Sequence, residues 1–380
     1  MKNIGRMGNL PRAIKIEKYI ERKKVLMVYG ARQVGKTTLV KSYLSNFKEP
    51  YLFITGDDLV LSEELAKCHL PVIAKILGNN KLIVIDEAQK INNIGRALKL
   101  MVDNFDISII VTGSSSFDLA NQTDEALTGR KKILTLYPIA VKELAGIFSE
   151  YEIQQLISEM LIYGLYPHIF AGKNLEIKRE RVIEIMNSYL IKDIFEFQRL
   201  KRSNVIIQLL RLVAFQIGQQ VSTTELSNQL NIDHKTVIRY LDLLEKSFVL
   251  FRLDGFSRNL RKEVTKQSKY YFYDLGVRNA LIANFNQLNL RNDLGQLWEN
   301  FIVMERVKNL SYKKIEANHY YWRNYQKKEI DLIEERGNYL YGIEIKYSGK
   351  KVKAPADWIN AYPKSSFEVI HRENFYDFVV

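Results

Sequence analysis

The octapeptide Gly30-Ala31-Arg32-Gln33-Val34-Gly35-Lys36-Thr37 follows directly on the apolar, β-rich run VLMVY and spells G-x-x-x-x-G-K-T. Glycines at 30 and 35 let the backbone curl. The loop from Gly30 through Arg32, Gln33, Val34 and Gly35 to Lys36, Thr37 and Thr38 then turns its N–H groups toward the β- and γ-phosphates of a nucleotide. Lys36 adds positive charge for binding and catalysis, Thr37 offers a hydroxyl to Mg²⁺, and the helix that begins there points its positive end at the anion. The bland alternative is a glycine-containing strand-to-helix turn, but the complete motif in a strand-to-helix context favours phosphate binding. ATP and Mg²⁺ are therefore the expected cofactors.

The run KLIVIDEAQK reads as a buried strand ending in two acids. Asp86 is assigned to the metal, held through water, and Glu87 to polarising the attacking water. Two acids after a strand also cap helices, yet the phosphate loop upstream argues for chemistry. ISIIVTGSSS is a third buried strand whose tip carries Thr112 and Ser114. Ser114 is chosen as the polar group that senses the γ-phosphate between the loop and the Asp86 strand. In LTGRKKILTLYPI, Arg130 precedes another strand. It is a candidate transition-state cation, in this chain or a neighbouring copy, with an ordinary solvent-facing arginine as the equal alternative.

A second constellation lies near the carboxyl terminus. KEIDLIEE and LYGIEIKYS, separated by RGN, read as a strand hairpin. Glu344 and Lys346 are two apart on one strand and share a face, with Asp331 on the neighbouring strand. Upstream, GQLWENFIVMERVKNL reads as an amphipathic helix carrying Glu299. The set Glu299, Asp331, Glu344, Lys346 follows an E…D…E-x-K pattern. In a metal-dependent nuclease Asp331 and Glu344 hold Mg²⁺, Lys346 orients the attacking water and Glu299 supports the metal site. Against this, Glu-x-Lys on a strand is frequent and a cross-strand ion pair is an ordinary contact.

The elements that must position these residues form a consistent pattern. Strands near 25–30, 51–55, 82–86, 107–112 and 132–137 alternate with helical stretches. This predicts a parallel sheet covered on both faces, with the ligand at the carboxyl ends of the strands. From Tyr151 to about Leu200 the pattern is helical, interrupted at Pro167. VSTTELSNQLNIDHKTVIRYLDLLEKSFVLFRL then reads as a helix-turn-helix: Ser222 and Glu225 form a capping box, Asn231 and Asp233 the turn, and Leu226, Leu230, Val237, Leu241 and Leu244 the packing seam. His234, Lys235, Arg239 and Tyr240 are left to face outward. FVLFRL and KYYFYD are the two strands of a wing, joined by a basic stretch with Arg258, Arg261, Lys262, Lys266 and Lys269. Such a module contacts DNA or serves for packing and dimerisation.

The chain has 380 residues, 47% of them hydrophobic and 26% charged, which predicts two or three well-packed domains. No apolar run approaches the length of a membrane span, the start has no signal-peptide core, and the single cysteine, Cys68, excludes an internal disulfide and a Cys-rich zinc site. A reducing cytoplasm fits, and no membrane partner is expected. The net charge of +13 favours a nucleic-acid partner, DNA before RNA.

GARQVGKTTL, IVIDEAQK, VTGSSS, LTGR and LYPIAVKEL, in that order, resemble the AAA-type P-loop ATPases of archaea and bacteria that carry an uncharacterised carboxyl-terminal domain. SYLIKDIFEF, YYFYDLGVRNAL and WENFIVMERVKN continue the resemblance over nearly the whole chain. By position it places the ATP site on Gly35, Lys36, Thr37, Asp86, Glu87, Ser114 and Arg130. The expected fold is α/β: an AAA-type parallel sheet over 1–150, a helical lid or linker over 151–202, a winged helix over 203–285, and a small restriction-endonuclease-like α/β domain over 286–380. The expected function is Mg²⁺-dependent ATP hydrolysis coupled to DNA binding and metal-dependent nucleic-acid cleavage. The alternative is an ATP-dependent interaction switch with a scaffold at its carboxyl end. Homo-oligomerisation is a further expectation.

Overall fold

The computed structural model describes residues 10–114, 126–172, 174–188, 203–257, 267–349 and 352–380. The chain divides into two compact units. One comprises Ile14–Pro138 with Lys246–Phe248, the other Met1–Ala13, Ile139–Glu245 and Val249–Val380. The first division falls at Pro138, ahead of the expected 150, and the expected boundaries at 202 and 285 lie inside the second unit.

In the first unit, β1 (Val25–Tyr29), β2 (Tyr51–Thr55), β3 (Leu82–Asp86), β4 (Ser108–Gly113) and β5 (Lys131–Thr135) form one sheet in the order β2-β3-β4-β1-β5. Every pair is parallel. The sequences explain the order. VLMVY, LIVID and SIIVTG are buried along their whole length and take the three central places, whereas YLFIT and KKILT keep exposed positions and lie at the edges. The helix Ile94–Asn104 buries Ile94, Ala97, Leu98 and Met101 at helical spacing, and with Ile73, Leu77, Ile83, Ile85, Ile109 and Val111 they make one core. Because all strands run the same way, Tyr29, Asp86 and Gly113 end at one edge.

The second unit holds a seven-stranded sheet in the order β12-β11-β10-β9-β7-β8-β6. Its members are β6 (Gln220–Val221), β7 (Leu250–Gly255), β8 (Ser268–Phe272), β9 (Asn318–Arg323), β10 (Glu329–Arg336), β11 (Tyr339–Ile345) and β12 (Ser365–Ile370). β10 and β11 form the expected hairpin, turned at Gly337 with φ 58°. β7 and β8 pair antiparallel, and a short parallel pairing of Asp254 and Gly255 with Tyr320 and Tyr321 joins them to β9. That junction makes the regions expected as separate segments one sheet.

Two helices, Thr223–Leu230 and His234–Lys246, precede β7. Ser222 Oγ accepts from the Glu225 N–H and Asp233 from the Lys235 N–H, as their positions predict. Leu226, Val237, Leu241 and Leu244 are buried between them, but so is Tyr240, which was expected to face outward. Its ring belongs to the apolar stripe one residue before Leu241. Residues 189–202, with most of SYLIKDIFEF, lie outside the described residues, as do Arg258, Arg261, Lys262 and Lys266.

The helix Leu294–Lys313 runs beside the sheet and buries Trp298, which meets Phe375 edge to face at 5.4 Å. Buried Glu305 accepts from the Val141 N–H at 2.7 Å and from Lys308 Nζ at 2.6 Å, which ties the short helix Val141–Leu144 into this unit. Trp358 is fully buried among Phe256, Trp322, Ile330, Ile333 and Leu340. No described helix is long and apolar enough to cross a membrane. Trp358→Ala is expected to cost about 3–5 kcal/mol of stability by leaving a cavity, read as a lowered denaturant midpoint; an unmoved midpoint would show that this cluster does not hold the unit together.

Candidate functional site

At the carboxyl edge of the first unit's sheet the chain leaves β1 through Gly30, with φ 152°, Gln33, with φ 62°, and Gly35, with φ 98°. A Cβ at Gly30 would lie 2.1 Å from the Leu136 carbonyl oxygen, so only glycine fits there. Gly35 starts the helix Lys36–Leu44 with no side-chain cap, which leaves its first N–H groups for an anion. Lys36 is 5% exposed, and its Nζ donates to the Gly30 and Ala31 carbonyls at 2.8 and 2.9 Å. Arg32 is half-buried, Val34 buried, and Gln33 and Thr38 exposed.

Thr37 Oγ1 lies 3.1 and 2.9 Å from the two Asp86 carboxylate oxygens. The buried Thr112 hydroxyl donates to Asp86 Oδ1 and accepts from the Glu87 N–H at 3.2 Å. β4 thus sits between β3 and β1 and aligns both acids. Thr37 and Asp86 present hard oxygen donors of the kind Mg²⁺ takes. Glu87 adopts φ 52°, an uncommon conformation for a residue with a side chain. Gln89 Nε2 donates to Glu87 Oε2 at 2.6 Å and to Ser114 Oγ at 3.1 Å. Gln89 Oε1 is buried with no hydrogen-bond partner among the described residues. Sequence reasoning passed over Gln89, although its place one short helical turn after Asp86-Glu87 was a usable signal.

Arg130 lies away from the phosphate loop of its own chain, with its side chain 45% exposed. Its carbonyl accepts from the Val25 N–H, so it stands at the amino-terminal edge of the sheet, and its guanidinium pairs with Asp103 at 2.7 Å. Lys131 to Thr135 run alongside Val25 to Tyr29, which puts the length of a strand between Arg130 and the phosphate loop of its own chain.

In the second unit Glu299, Asp331, Glu344 and Lys346 do come together. Lys346 Nζ lies 2.6 Å from Glu344 Oε1 and 3.5 Å from Asp331 Oδ2, which also accepts from the Ile345 N–H at 2.8 Å. Three residues missed by sequence reasoning complete the cluster. Lys269 of β8, 1% exposed, has its Nζ 2.5 Å from Glu329 Oε1, 3.1 Å from Glu299 Oε1 and 4.0 Å from Asp331 Oδ1. The Tyr271 hydroxyl donates to Glu299 Oε1 at 2.6 Å. Lys269 was expected on a basic wing; the strand instead turns it inward beside Tyr271, two residues on and on the same face.

Burial pushes the Glu299 carboxyl up to about 7, against the opposing pull of Lys269. Burial and the Asp331 charge also raise Glu344. Burial alone would lower Lys269, but Glu299, Asp331 and Glu329 outweigh it and the net shift is upward. Lys346 is raised for the same reason, burial opposing and Asp331 with Glu344 prevailing. Glu329 was legible in principle, since KEID places it two residues before Asp331. The Lys269 ammonium thus lies against the Glu299 and Glu329 oxygens, and 4.0 Å from Asp331, whereas Lys346 lies against Glu344. Among the described residues no group of three or more His, Cys, Asp or Glu side chains is placed to hold a metal ion.

A third feature is a groove of about 660 Å³ between the His234–Lys246 helix and β8, lined by Thr223, His234, Lys235, Arg239, Arg252 and Tyr270 among others. Lys235 and Arg239 are exposed, and the Arg239 guanidinium stands 5.5 Å from the Tyr240 ring centroid. Lys235 and Arg239 supply positive charge on this helix, and Asp242 and Glu245 of the same helix line the groove with them.

Comparison with known proteins finds three matched segments along the chain. Residues 22–145 match the family described as an AAA domain, residues 154–289 a domain of unknown function (DUF8612), and residues 294–370 another domain of unknown function (DUF4143). An uncharacterized protein of Mycobacterium tuberculosis is 27% identical over 338 residues, 88% of this chain and 73% of the relative. Among solved structures, a Signal Transduction ATPase with Numerous Domains protein with a tetratricopeptide repeat sensor, from Pyrococcus horikoshii, overlaps with a TM-score of 0.28 at 12% identity, over 78% of this chain and 45% of that one. The Holliday junction branch migration motor of Thermotoga maritima overlaps with a TM-score of 0.27 at 17% identity, over 64% and 88%. Neither superposition is close enough to bear on this chain. The AAA match and the geometry at Gly30–Thr37 identify residues 22–145 as a domain of the P-loop ATPase type.

Proposed function

We propose that the first unit hydrolyses ATP with Mg²⁺ and that the chain is a nucleotide-dependent switch whose second unit contacts DNA. The observation that carries the ATPase reading is the Thr37–Asp86–Thr112 contact at the mouth of the phosphate loop, with Glu87, Gln89 and Ser114 beside it. In this reading the loop N–H groups and Lys36 hold the phosphate oxygens, and Thr37 and Asp86 hold the metal. Mg²⁺, when bound, supplies charge that offsets the β- and γ-phosphates. Glu87 accepts the proton of the attacking water. Gln89 fixes the Glu87 carboxylate and leaves Oε1 free to receive a hydrogen bond from that water, while Ser114 stands where the γ-phosphate is sensed. Arg130, remote from its own loop, is left a role in a neighbouring copy of a homo-oligomer or none.

DNA contact is supported by the succession of helix, short strand, two helices and antiparallel strand pair over 203–257 and 267–272, which we read as a winged helix, and by exposed Lys235 and Arg239. The net charge agrees, and a cytoplasmic setting suits all of these partners. Domains over 1–150, 151–202, 203–285 and 286–380 remain our functional division, with the last serving as a scaffold of restriction-endonuclease-like type. A second reading, metal-dependent cleavage by that domain, is favoured by the convergence of Asp331, Glu344 and Lys346. It ranks lower because Lys269 already compensates the acids.

Lys36→Ala is expected to weaken ATP binding by about 10- to 100-fold and to abolish hydrolysis; unchanged affinity by calorimetry would refute the phosphate-loop assignment. Glu87→Gln should keep the affinity and slow turnover about 10²- to 10⁴-fold, and Gln89→Ala should slow it roughly 10- to 100-fold with affinity unchanged. Steady-state rates with full activity in the Gln89 variant would remove that residue from the mechanism. Replacing Lys235 and Arg239 together by Ala should weaken duplex DNA binding and reduce the salt slope by about 2, and a salt slope equal to that of the parent protein would place DNA, if bound, elsewhere.

A further inference from the structure

The carboxylate cluster of the second unit has a feature its sequence pattern does not announce: a buried ammonium brought in from a distant strand. In the sheet order β7 and β9 lie between β8 and β10, yet Lys269 Nζ on β8 reaches Glu329 on β10 at 2.5 Å. β7 and β9 meet over only two residue pairs, and there Tyr321 Oη donates to the Gln267 carbonyl and accepts from Gln220 Nε2 at 2.8 Å. Lys269 Nζ also stands 5.5 Å from the Tyr321 ring centroid. Glu299, from the Leu294–Lys313 helix, enters from one side, close enough to Gly218 that a Cβ there would be 3.1 Å from its oxygens.

Each oxygen of Asp331 faces a cation of the chain itself, Oδ1 toward Lys269 and Oδ2 toward Lys346. Glu329 divides its oxygens likewise, Oε1 to Lys269 and Oε2 to Arg323 at 3.6 Å. Mg²⁺ and Mn²⁺ take such oxygens at short range in near-octahedral sets. The Lys269 ammonium is within hydrogen-bond reach of Glu299 Oε1 and Glu329 Oε1 and stands 4.0 Å from Asp331 Oδ1, so its fixed charge repels a dication from all three carboxylates.

We propose that the Lys269 ammonium is the resident cation of this cluster, holding Glu299, Glu329 and Asp331 together in place of a divalent metal, and that removing its charge converts the cluster into a divalent-cation site. The wild-type cluster is then an ion-paired clamp between β8, β10 and the Leu294–Lys313 helix, and it has no metal-activated water for phosphodiester cleavage. This inference stands independently of the ATPase reading, because the residues concerned lie in the other unit.

The test is a Mn²⁺ titration of the full chain without nucleotide, followed by the electron paramagnetic resonance signal of free Mn²⁺ and by thermal unfolding. Wild type and Lys269→Arg are expected to show no bound Mn²⁺ that depends on Asp331, and no Mn²⁺-dependent change in Tm. Lys269→Met is expected to gain one site, at least about 100-fold tighter than any in wild type, with Mn²⁺ raising its Tm, and Lys269→Met with Asp331→Asn should lose that site again. Wild-type binding that Asp331→Asn abolishes would overturn the proposal, since metal and Lys269 would then coexist. A folded Lys269→Met chain that binds no Mn²⁺ would overturn it equally. If that variant does not fold even with Mn²⁺ present, Lys269→Gln and the wild-type titration decide by the same two criteria.

Discussion

The nucleotide site depends on one constraint, the common direction of β3, β4 and β1. Parallel strands end at the same edge, so the loop after Tyr29, the carboxylate of Asp86 and the hydroxyl of Thr112 are delivered to one place without any long-range adjustment. An acid whose oxygens lie within 3.1 Å of Thr37 and which also receives the Thr112 hydroxyl is held rigidly before any ligand arrives. That rigidity suits hydrolysis, where most of the protein's contribution is positioning and fixed charge.

The second unit is governed by a different necessity. A lysine ammonium taken out of water must find carboxylates, and carboxylates taken out of water must find cations or protons. Lys269 and the acids around it satisfy one another, and the unusual reach from β8 to β10 follows from that mutual need. Losing Lys269 would leave Asp331 with Lys346 and Glu329 with Arg323, but would remove the one cation paired with Glu299 among the ion pairs of the described residues. The cluster therefore fixes how the strand pair β7 and β8 meets the hairpin of β10 and β11, whatever chemistry it performs.

Local sequence made much of this visible. Continuous apolar runs marked β1, β3 and β4 as strands, and RGN marked the β10–β11 turn. The spacing of Glu344 and Lys346 placed them on one face, where their side chains do meet at 2.6 Å. Ser222 and Asp233 marked the helix starts. Reading failed where a residue's partner lay on an element distant in sequence. Lys269 looked like part of a basic wing because its neighbours 258–266 are basic, and Tyr240 looked exposed because it followed Arg239. In both cases burial was decided by what packs on the element.

By itself, then, the sequence determined the phosphate loop, the two acids after β3, the strand directions of the first sheet and the identities of Asp331, Glu344 and Lys346, because each rests on spacing within a few residues. Tertiary structure alone decided that Arg130 stands at the opposite edge from the loop, that Gln89 links Glu87 to Ser114, and that Lys269 enters the carboxylate cluster. Those outcomes depend on charge and packing between segments distant in the chain, as with Val25 and Arg130 or Lys269 and Asp331, and no local pattern encodes which charges will share a space closed to water.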